Sequence, residues 1–186
     1  MTVRELIKKL KKNPRSANVG LILLLDVDGV ICPIGSSLKA EKVIRVKSGW
    51  NSGYIKNGVV HWLKEISDKY QVIWFTSWLE DANKINELIN IKKFRVIDVL
   101  NNQNNTRIWN KWGVLEALCN KNIDYQFIVI DDEAPEESDL EKCGVVKPSN
   151  LTLFKINNQM SGLCESDMKL LEKKLFDIRF RLGKQR

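Results

Sequence analysis

Apolar residues along the chain follow two spacings, which separate strands from helices. Nearly continuous apolar runs are typical of strands buried on both faces of a parallel sheet, and they occupy residues 19–25, 71–76, 94–100, 127–130 and 151–156. Apolar residues at intervals of three and four predict helices, which we place at residues 3–12, 59–70, 80–90, 112–120 and 167–182. Because strands and helices alternate, we expect a doubly wound α/β sandwich.

The stretch between the first strand and the next helix has no clear period. Residues 31–57 contain Pro33, Gly35, Gly49 and Gly53, so we interpret them as a loop or flap, with or without a short hairpin. The polar run at residues 101–105 predicts a second loop. No repeat or linker interrupts the chain, and we expect residues 1–186 to form one domain.

Composition excludes several classes of protein. Apolar residues make up 44% of 186, which argues against disorder. The run at residues 19–25 is too short for a membrane span of ~20 residues, and residues 1–15 lack the apolar core of a secretory signal. Four scattered cysteines and one histidine make a zinc site improbable. We therefore expect reduced cysteines and a cytoplasmic protein.

The net charge of +7 is concentrated at the two ends of the chain. Residues 1–15 carry +5, and residues 169–186 also carry +5. Two basic terminal helices, at residues 1–15 and 167–182, are therefore candidates for contact with an anion or a protein partner. Solvated lysine-rich faces are the alternative.

Polar residues follow three of the predicted strands at their carboxyl ends, which is where open α/β sheets bind ligands. Two carboxylates two positions apart on an extended segment point to one side, and a cluster of acids repels itself without a cation. Mg²⁺ prefers such oxygen ligands together with substrate phosphate. The sequence thus predicts Mg²⁺ and a phosphorylated substrate at an edge formed by Asp26, Asp28, Thr76, Ser77, Asp131 and Asp132.

These motifs resemble those of the haloacid dehalogenase (HAD) superfamily. A strand followed by Asp-x-Asp-Gly-Val, a strand followed by Thr, a lysine opening a helix, and a strand followed by Asp-Asp occur in the family's order. A closer resemblance is to the HAD domains of Swiss Army Knife RNA repair proteins. It rests on residues 74–78 (Trp-Phe-Thr-Ser-Trp), Ala82-Asn83, Lys111-Trp112, residues 131–133 (Asp-Asp-Glu) and Gly162-Leu163.

The resemblance implies a Rossmann-like HAD fold and a role for each motif residue. Asp26 would be the nucleophile that forms an aspartyl-phosphate, and Asp28 the general acid and base. Thr76 would bind a phosphoryl oxygen, with Ser77 competing for that role. Lys111 would neutralise charge, with Lys92, Lys93 and Arg107 as rivals. Asp26, the Asp28 carbonyl and Asp131 would bind Mg²⁺, helped by Asp132.

The segments between the motifs leave no room for a sizeable cap, only for the flap at residues 31–57. A site without a cap is open to solvent and admits a phosphate on a polymer. Gly29 allows a sharp exit from the first motif and joins Ser77 as a candidate substrate contact. Trp50 and Trp78 are candidates for stacking on bases, against core packing as the alternative, which we favour for Trp62 and Trp74. Four basic flap residues are candidates for backbone phosphates: Lys39, Lys42, Arg45 and Lys47.

We therefore expect an Mg²⁺-dependent phosphatase that removes a terminal phosphate from RNA or DNA. One alternative is a small-molecule phosphatase such as a nucleotidase, with the flap closing over its substrate. Another is a non-catalytic nucleic-acid or protein-binding module on the same scaffold. The acidic cluster argues against the last, since a binder of anions would gain by losing it.

Overall fold

The computed structural model describes residues 20–34, 43–99 and 109–184. The predicted helix at residues 3–12, the loop at residues 101–105 and part of the flap lie outside these ranges. None of the helices in the described ranges has both the length and the apolar character that a membrane span needs.

Five parallel strands form the central sheet in the order β5-β4-β1-β6-β7. They are β1 (Leu21–Leu25), β4 (Gln71–Trp74), β5 (Arg95–Val96), β6 (Gln126–Asp131) and β7 (Leu151–Lys155). Side chains alternate between the two faces of β1. Leu23 and Leu25 join one apolar cluster and Ile22 and Leu24 the other, which explains why this run carries no polar residue.

Helices cover both faces of this sheet. They are α1 (Asn57–Lys69), α2 (Asn83–Leu88), α3 (Trp112–Lys121), α4 (Glu137–Lys142) and α5 (Glu165–Lys184). Residues of α1 and α5 pack in the cluster on one face, and residues of α3 pack on the other. The predicted α/β fold is therefore confirmed.

Several elements differ from the sequence prediction in their bounds or in their presence. The strand expected at residues 94–100 is reduced to two residues, because its neighbour β4 ends at Trp74 and leaves little to pair with. The helix expected at residues 80–90 begins as a 3₁₀ turn, Leu79–Ala82, and continues as α2. Helix α4 was not predicted, since five of its six residues are polar and only Leu140 is buried.

The described part of the flap is an antiparallel hairpin of β2 (Val43–Ser48) and β3 (Asn51–Lys56). Val46 and Ile55 are fully buried on its inner face and join the core cluster that contains β1. Arg45, Ser52 and Tyr54 are exposed on its outer face. The hairpin thus occupies the place where the sequence predicted a minimal flap.

Candidate active site

Strand register brings the acidic motifs together at the carboxyl edge of the sheet. Leu25 of β1 is level with Ile130 of β6, so the next residues, Asp26 and Asp131, lie side by side. Both are buried, at 6% and 0% exposure. The sheet therefore places two carboxylates from distant parts of the sequence in one low-dielectric site.

Lys111 joins these two carboxylates. Its Nζ lies 2.7 Å from Asp26 Oδ2 and 2.7 Å from Asp131 Oδ2, and the residue is only 4% exposed. Burial alone lowers the pKa of the Lys111 ammonium, but the two carboxylates outweigh it and hold the pKa above its usual value. Lys111, one of the candidate basic residues, is thus a buried and charged group at this edge of the sheet.

The remaining bonds fix the orientation of the two carboxylates. Asp26 Oδ1 accepts a hydrogen bond from the Val27 backbone N–H at 2.8 Å, and Asp131 Oδ1 accepts one from the Glu133 N–H at 2.8 Å. Each carboxylate therefore gives one oxygen to the backbone and the other to Lys111. Such fixed geometry is what catalysis by positioned charge requires.

A divalent cation fits the carboxylate cluster. Oxygens of Asp26, Asp131 and Asp132 lie within 4.8 Å of one another. Burial, followed by the Asp26 charge, raises the pKa of Asp132 to about 6 and also raises the pKa of Asp131. One ammonium does not balance these acids, and a cation with a preference for oxygen ligands would do so. The Asp28 carboxylate is outside this cluster, and metal contact through the Asp28 carbonyl stays a prediction.

Asp28 lies at the exposed mouth of the site. Packing around its carboxylate raises the pKa above its usual value, while the Trp78 hydrogen bond opposes this. The Trp78 indole Nε1–H donates to Asp28 Oδ2 at 2.8 Å. The raised pKa favours the protonated form of Asp28, which is the form that can donate a proton to a leaving group.

Trp78 requires a correction. It is 3% exposed, so its ring faces are covered by the core and cannot stack on a base. Its single polar atom is instead engaged with Asp28. The sequence pattern did place Trp78 near the site, but only the packing reveals that it orients a carboxylate.

The other residues predicted to contact substrate differ in how far their side chains are exposed to solvent. Thr76 is fully buried, and its Oγ1 accepts a hydrogen bond from the Trp78 N–H at 3.3 Å. Ser77 is exposed beside it. Trp50 is fully exposed at the tip of the β2–β3 hairpin. Trp62 and Trp74 are buried, as expected for core residues.

Gly29 and Gly162 shape the turn that carries Asp28. Gly29 has a φ of +66°, and a Cβ there would collide with the Asp132 carboxylate. Gly162 approaches from the other side, where a Cβ would lie 2.6 Å from the Val30 carbonyl oxygen. The adjoining Leu163 N–H donates to that same oxygen at 2.8 Å. The Gly162-Leu163 pair therefore packs against the turn that follows Asp28.

Two features of the site escaped the sequence reasoning. Asp81 accepts hydrogen bonds from Ser48 Oγ at 2.9 Å and Asn51 Nδ2 at 3.1 Å, which ties the hairpin to the segment after Thr76. A cleft of about 350 Å³ separates Asp28 from the hairpin and is lined by Arg45 and Tyr54 among others. Neither could be found from spacing, because the hairpin register was unknown.

Among the residues that the structure describes, neither a thiol nor an imidazole is a good candidate for the nucleophile at this edge of the sheet. Burial raises the pKa of Cys32 to about 12, so this neighbour of Asp28 is a neutral thiol at physiological pH. His61 is exposed on α1. The nucleophile is therefore expected among the carboxylates.

Comparison with known proteins agrees with this arrangement. No match was found among curated proteins. A family model described as the HAD domain in Swiss Army Knife RNA repair proteins matches residues 22–152. That span runs from β1 to β7 and includes the four acidic residues, Thr76 and Lys111. The chain belongs to this family of HAD domains, and that membership indicates a phosphatase of the HAD type.

Proposed function

We propose that this chain is a Mg²⁺-dependent phosphohydrolase that removes a terminal phosphate from a nucleic acid through an aspartyl-phosphate on Asp26. The observation that carries the proposal is the buried Lys111 ammonium between Asp26 and Asp131, with Asp28 at the open side. Membership of a family found in RNA repair proteins supports the choice of nucleic acid.

In the first step an Asp26 carboxylate oxygen attacks phosphorus, and the bond from phosphorus to the leaving oxygen breaks. Protonated Asp28 gives its proton to that oxygen, so the nucleic acid leaves with a free hydroxyl. Lys111 offsets the negative charge on Asp26 and on the phosphoryl group. Thr76 would donate its hydroxyl hydrogen to a phosphoryl oxygen while its Oγ1 still accepts from the Trp78 N–H.

In the second step Asp28, now ionised, takes a proton from water. The resulting hydroxide attacks the aspartyl-phosphate, which releases inorganic phosphate and restores the Asp26 carboxylate. Asp26, Asp131 and Asp132 would hold the divalent cation, which when bound supplies positive charge opposite the phosphoryl oxygens. The Trp78 hydrogen bond keeps Asp28 directed at the open side throughout.

The test is release of phosphate from 5′- and 3′-phosphorylated oligonucleotides, with Mg²⁺ and with EDTA. We expect turnover only with Mg²⁺, and a loss of about a thousandfold or more in kcat for Asp26→Asn. A matched control is Asp68→Asn, an exposed acid on α1, which should keep wild-type rates. Retained activity in Asp26→Asn would remove Asp26 as the nucleophile.

A small-molecule phosphatase such as a nucleotidase is the second candidate, favoured by the cleft beside Asp28. A volume of about 350 Å³ is within the range of about 300–1,000 Å³ for small-ligand sites. The two functions differ in their preferred substrate. Equal or higher kcat/KM on mononucleotides than on oligonucleotides would favour the nucleotidase.

A further inference from the structure

The cleft beside Asp28 separates the catalytic carboxylates from the outer face of the β2–β3 hairpin. Asp28, Cys32 and Pro33 line one side of it, and Arg45, Ser52 and Tyr54 line the other. A group attached to a phosphate at the active site would therefore meet the hairpin next. The chemistry of the hairpin face decides what that group can be.

Arg45 and Tyr54 are direct cross-strand partners on this face. Residues that are opposite each other in an antiparallel pair have Cβ atoms about 5 Å apart, so a cation and an aromatic ring are presented together. Tyr54 is 43% exposed. Among the residues that the structure describes, Arg45 has no carboxylate within ion-pair distance, which leaves its guanidinium available to an anion.

The hairpin is held in place by three contacts before any ligand arrives. Its inner face is buried in the core through Val46 and Ile55. Gly53 approaches Cys32 so closely that a Cβ on Gly53 would lie 2.8 Å from the Cys32 Cβ. Asp81 binds both ends of the turn. Arg45 and Tyr54 therefore project from a supported surface, which lowers the entropic cost of binding.

We infer that this cleft binds the nucleoside next to the terminal phosphate, with its base on the Tyr54 ring and the following phosphodiester on Arg45. The inference rests on the proposed function and adds the residues that select a polynucleotide. An aromatic face accepts any base, and a guanidinium pairs with phosphate through two parallel hydrogen bonds. A mononucleotide has a base but no second phosphate, so the two residues have separable effects.

The experiment measures binding by fluorescence anisotropy in the Asp26→Asn background, with Mg²⁺ present. The probes are RNA tetranucleotides with a phosphate at one end and a fluorophore at the other, and a nucleoside monophosphate as competitor. Tyr54→Leu should weaken binding of both ligands about tenfold. Arg45→Gln should weaken the tetranucleotide about fivefold and leave the mononucleotide unchanged.

Salt dependence gives a second readout for Arg45. Each phosphate contact on a single strand contributes about 0.7 to the slope of log K against log salt. Arg45→Gln should reduce the magnitude of this slope by about 0.7 for the tetranucleotide, and Tyr54→Leu should leave the slope unchanged. A general loss of the folded structure would instead weaken the binding of both ligands together.

Lys121→Gln and Ile123→Ser are the matched controls. Lys121 is exposed at the end of α3, at the opposite edge of the sheet from the site. Ile123 is an exposed apolar residue in the turn that follows α3. Both variants should bind the tetranucleotide like the parent.

Parental binding of the tetranucleotide by Tyr54→Leu and Arg45→Gln would overturn the inference, as would an equal loss in the controls. The proposed function fails by a different result, namely no phosphate release by the wild-type chain from any oligonucleotide. Binding does not depend on turnover, so failure of the inference and failure of the proposed function are distinguishable.

Discussion

At the residue scale, the Trp78 indole orients the Asp28 carboxylate, which is the proposed general acid and base. Its Nε1–H lies 2.8 Å from Asp28 Oδ2, and its ring is buried. A side chain that only filled the core would not need this nitrogen. The hydrogen bond therefore gives Trp78 a positioning role that can be separated from its packing.

Trp78→Phe keeps an aromatic ring and removes the N–H. We expect kcat on an oligonucleotide with a terminal phosphate to fall about fivefold, because loss of one hydrogen bond of about 1 kcal/mol lets Asp28 leave its orientation. KM should stay within twofold. Steady-state kinetics measures both quantities.

Trp62→Phe is the matched control for this change. Trp62 is also buried, but its Nε1 has no hydrogen-bond partner among the residues that the structure describes. It should retain the wild-type kcat. Equal kcat values for the two variants would contradict the role of Trp78.

Asp132 carries an unfavourable charge in the metal-free chain. Its pKa is raised to about 6, chiefly by burial and then by Asp26, so the folded state binds the proton more tightly than the unfolded state. Stability contributed by this group is thus present at low pH and is lost as pH rises from about 4 to about 6.

Asp132→Asn should therefore raise the melting temperature in EDTA at pH 8, by about 3 °C for a gain of about 1 kcal/mol. It should give no such gain at pH 4. With Mg²⁺ the wild type should gain more than the variant, since Asp132 is a proposed ligand of the cation. Thermal melts at the two pH values check this. A variant that melts below the wild type in EDTA at pH 8 would show that Asp132 is compensated in the fold.

At the scale of elements, Asp81 ties the turn of the hairpin to the segment that follows Thr76. Asp81→Ala removes the bonds to Ser48 and Asn51, and we expect faster backbone exchange across β2 and β3. Hydrogen–deuterium exchange with mass spectrometry should show higher uptake in peptides covering residues 43–56 and no change in β6.

The neighbouring acid provides the control for this prediction. Glu80 is exposed and accepts a hydrogen bond from Asn83 at 3.2 Å, not from the hairpin. Glu80→Ala should leave uptake at residues 43–56 unchanged. If Asp81→Ala also leaves it unchanged, the inner-face packing alone holds the hairpin.

At the scale of the whole molecule, charge is distributed unevenly. The chain has a net charge of +7, but residues 1–15 and 169–186 each carry +5, while the active site gathers four carboxylates. We therefore propose that the ends of the chain attract a long anion. In the proposed function, capture of the terminal phosphate is a local task of Lys111, Thr76 and the cation.

Removal of residues 1–15 tests this division. We expect weaker binding of a 20-nucleotide RNA and a smaller salt slope, because up to six cations are lost with the segment. Turnover of acetyl phosphate should be unchanged, since the segment contains none of the proposed catalytic residues. Unchanged RNA affinity would end the proposed role of this segment.

Local patterns along the chain were enough to predict the order of the main strands and helices and the acidic edge of the sheet. Buried parallel strands need uninterrupted apolar runs, and ligand chemistry collects where such strands end. The positions of Asp26, Asp28 and Asp131 could therefore be inferred from local pattern. Helix α4 could not, because a short helix that buries only Leu140 leaves no apolar period.

The contacts between these parts depend on the three-dimensional fold. The Lys111 bridge, the Trp78 bond to Asp28 and the Asp81 anchor join residues 20 to 85 positions apart in the chain. The burial of the Trp78 ring depends on packing, and the pairing of Arg45 with Tyr54 depends on strand register. These are non-local quantities, and no window of sequence contains both partners of such a contact.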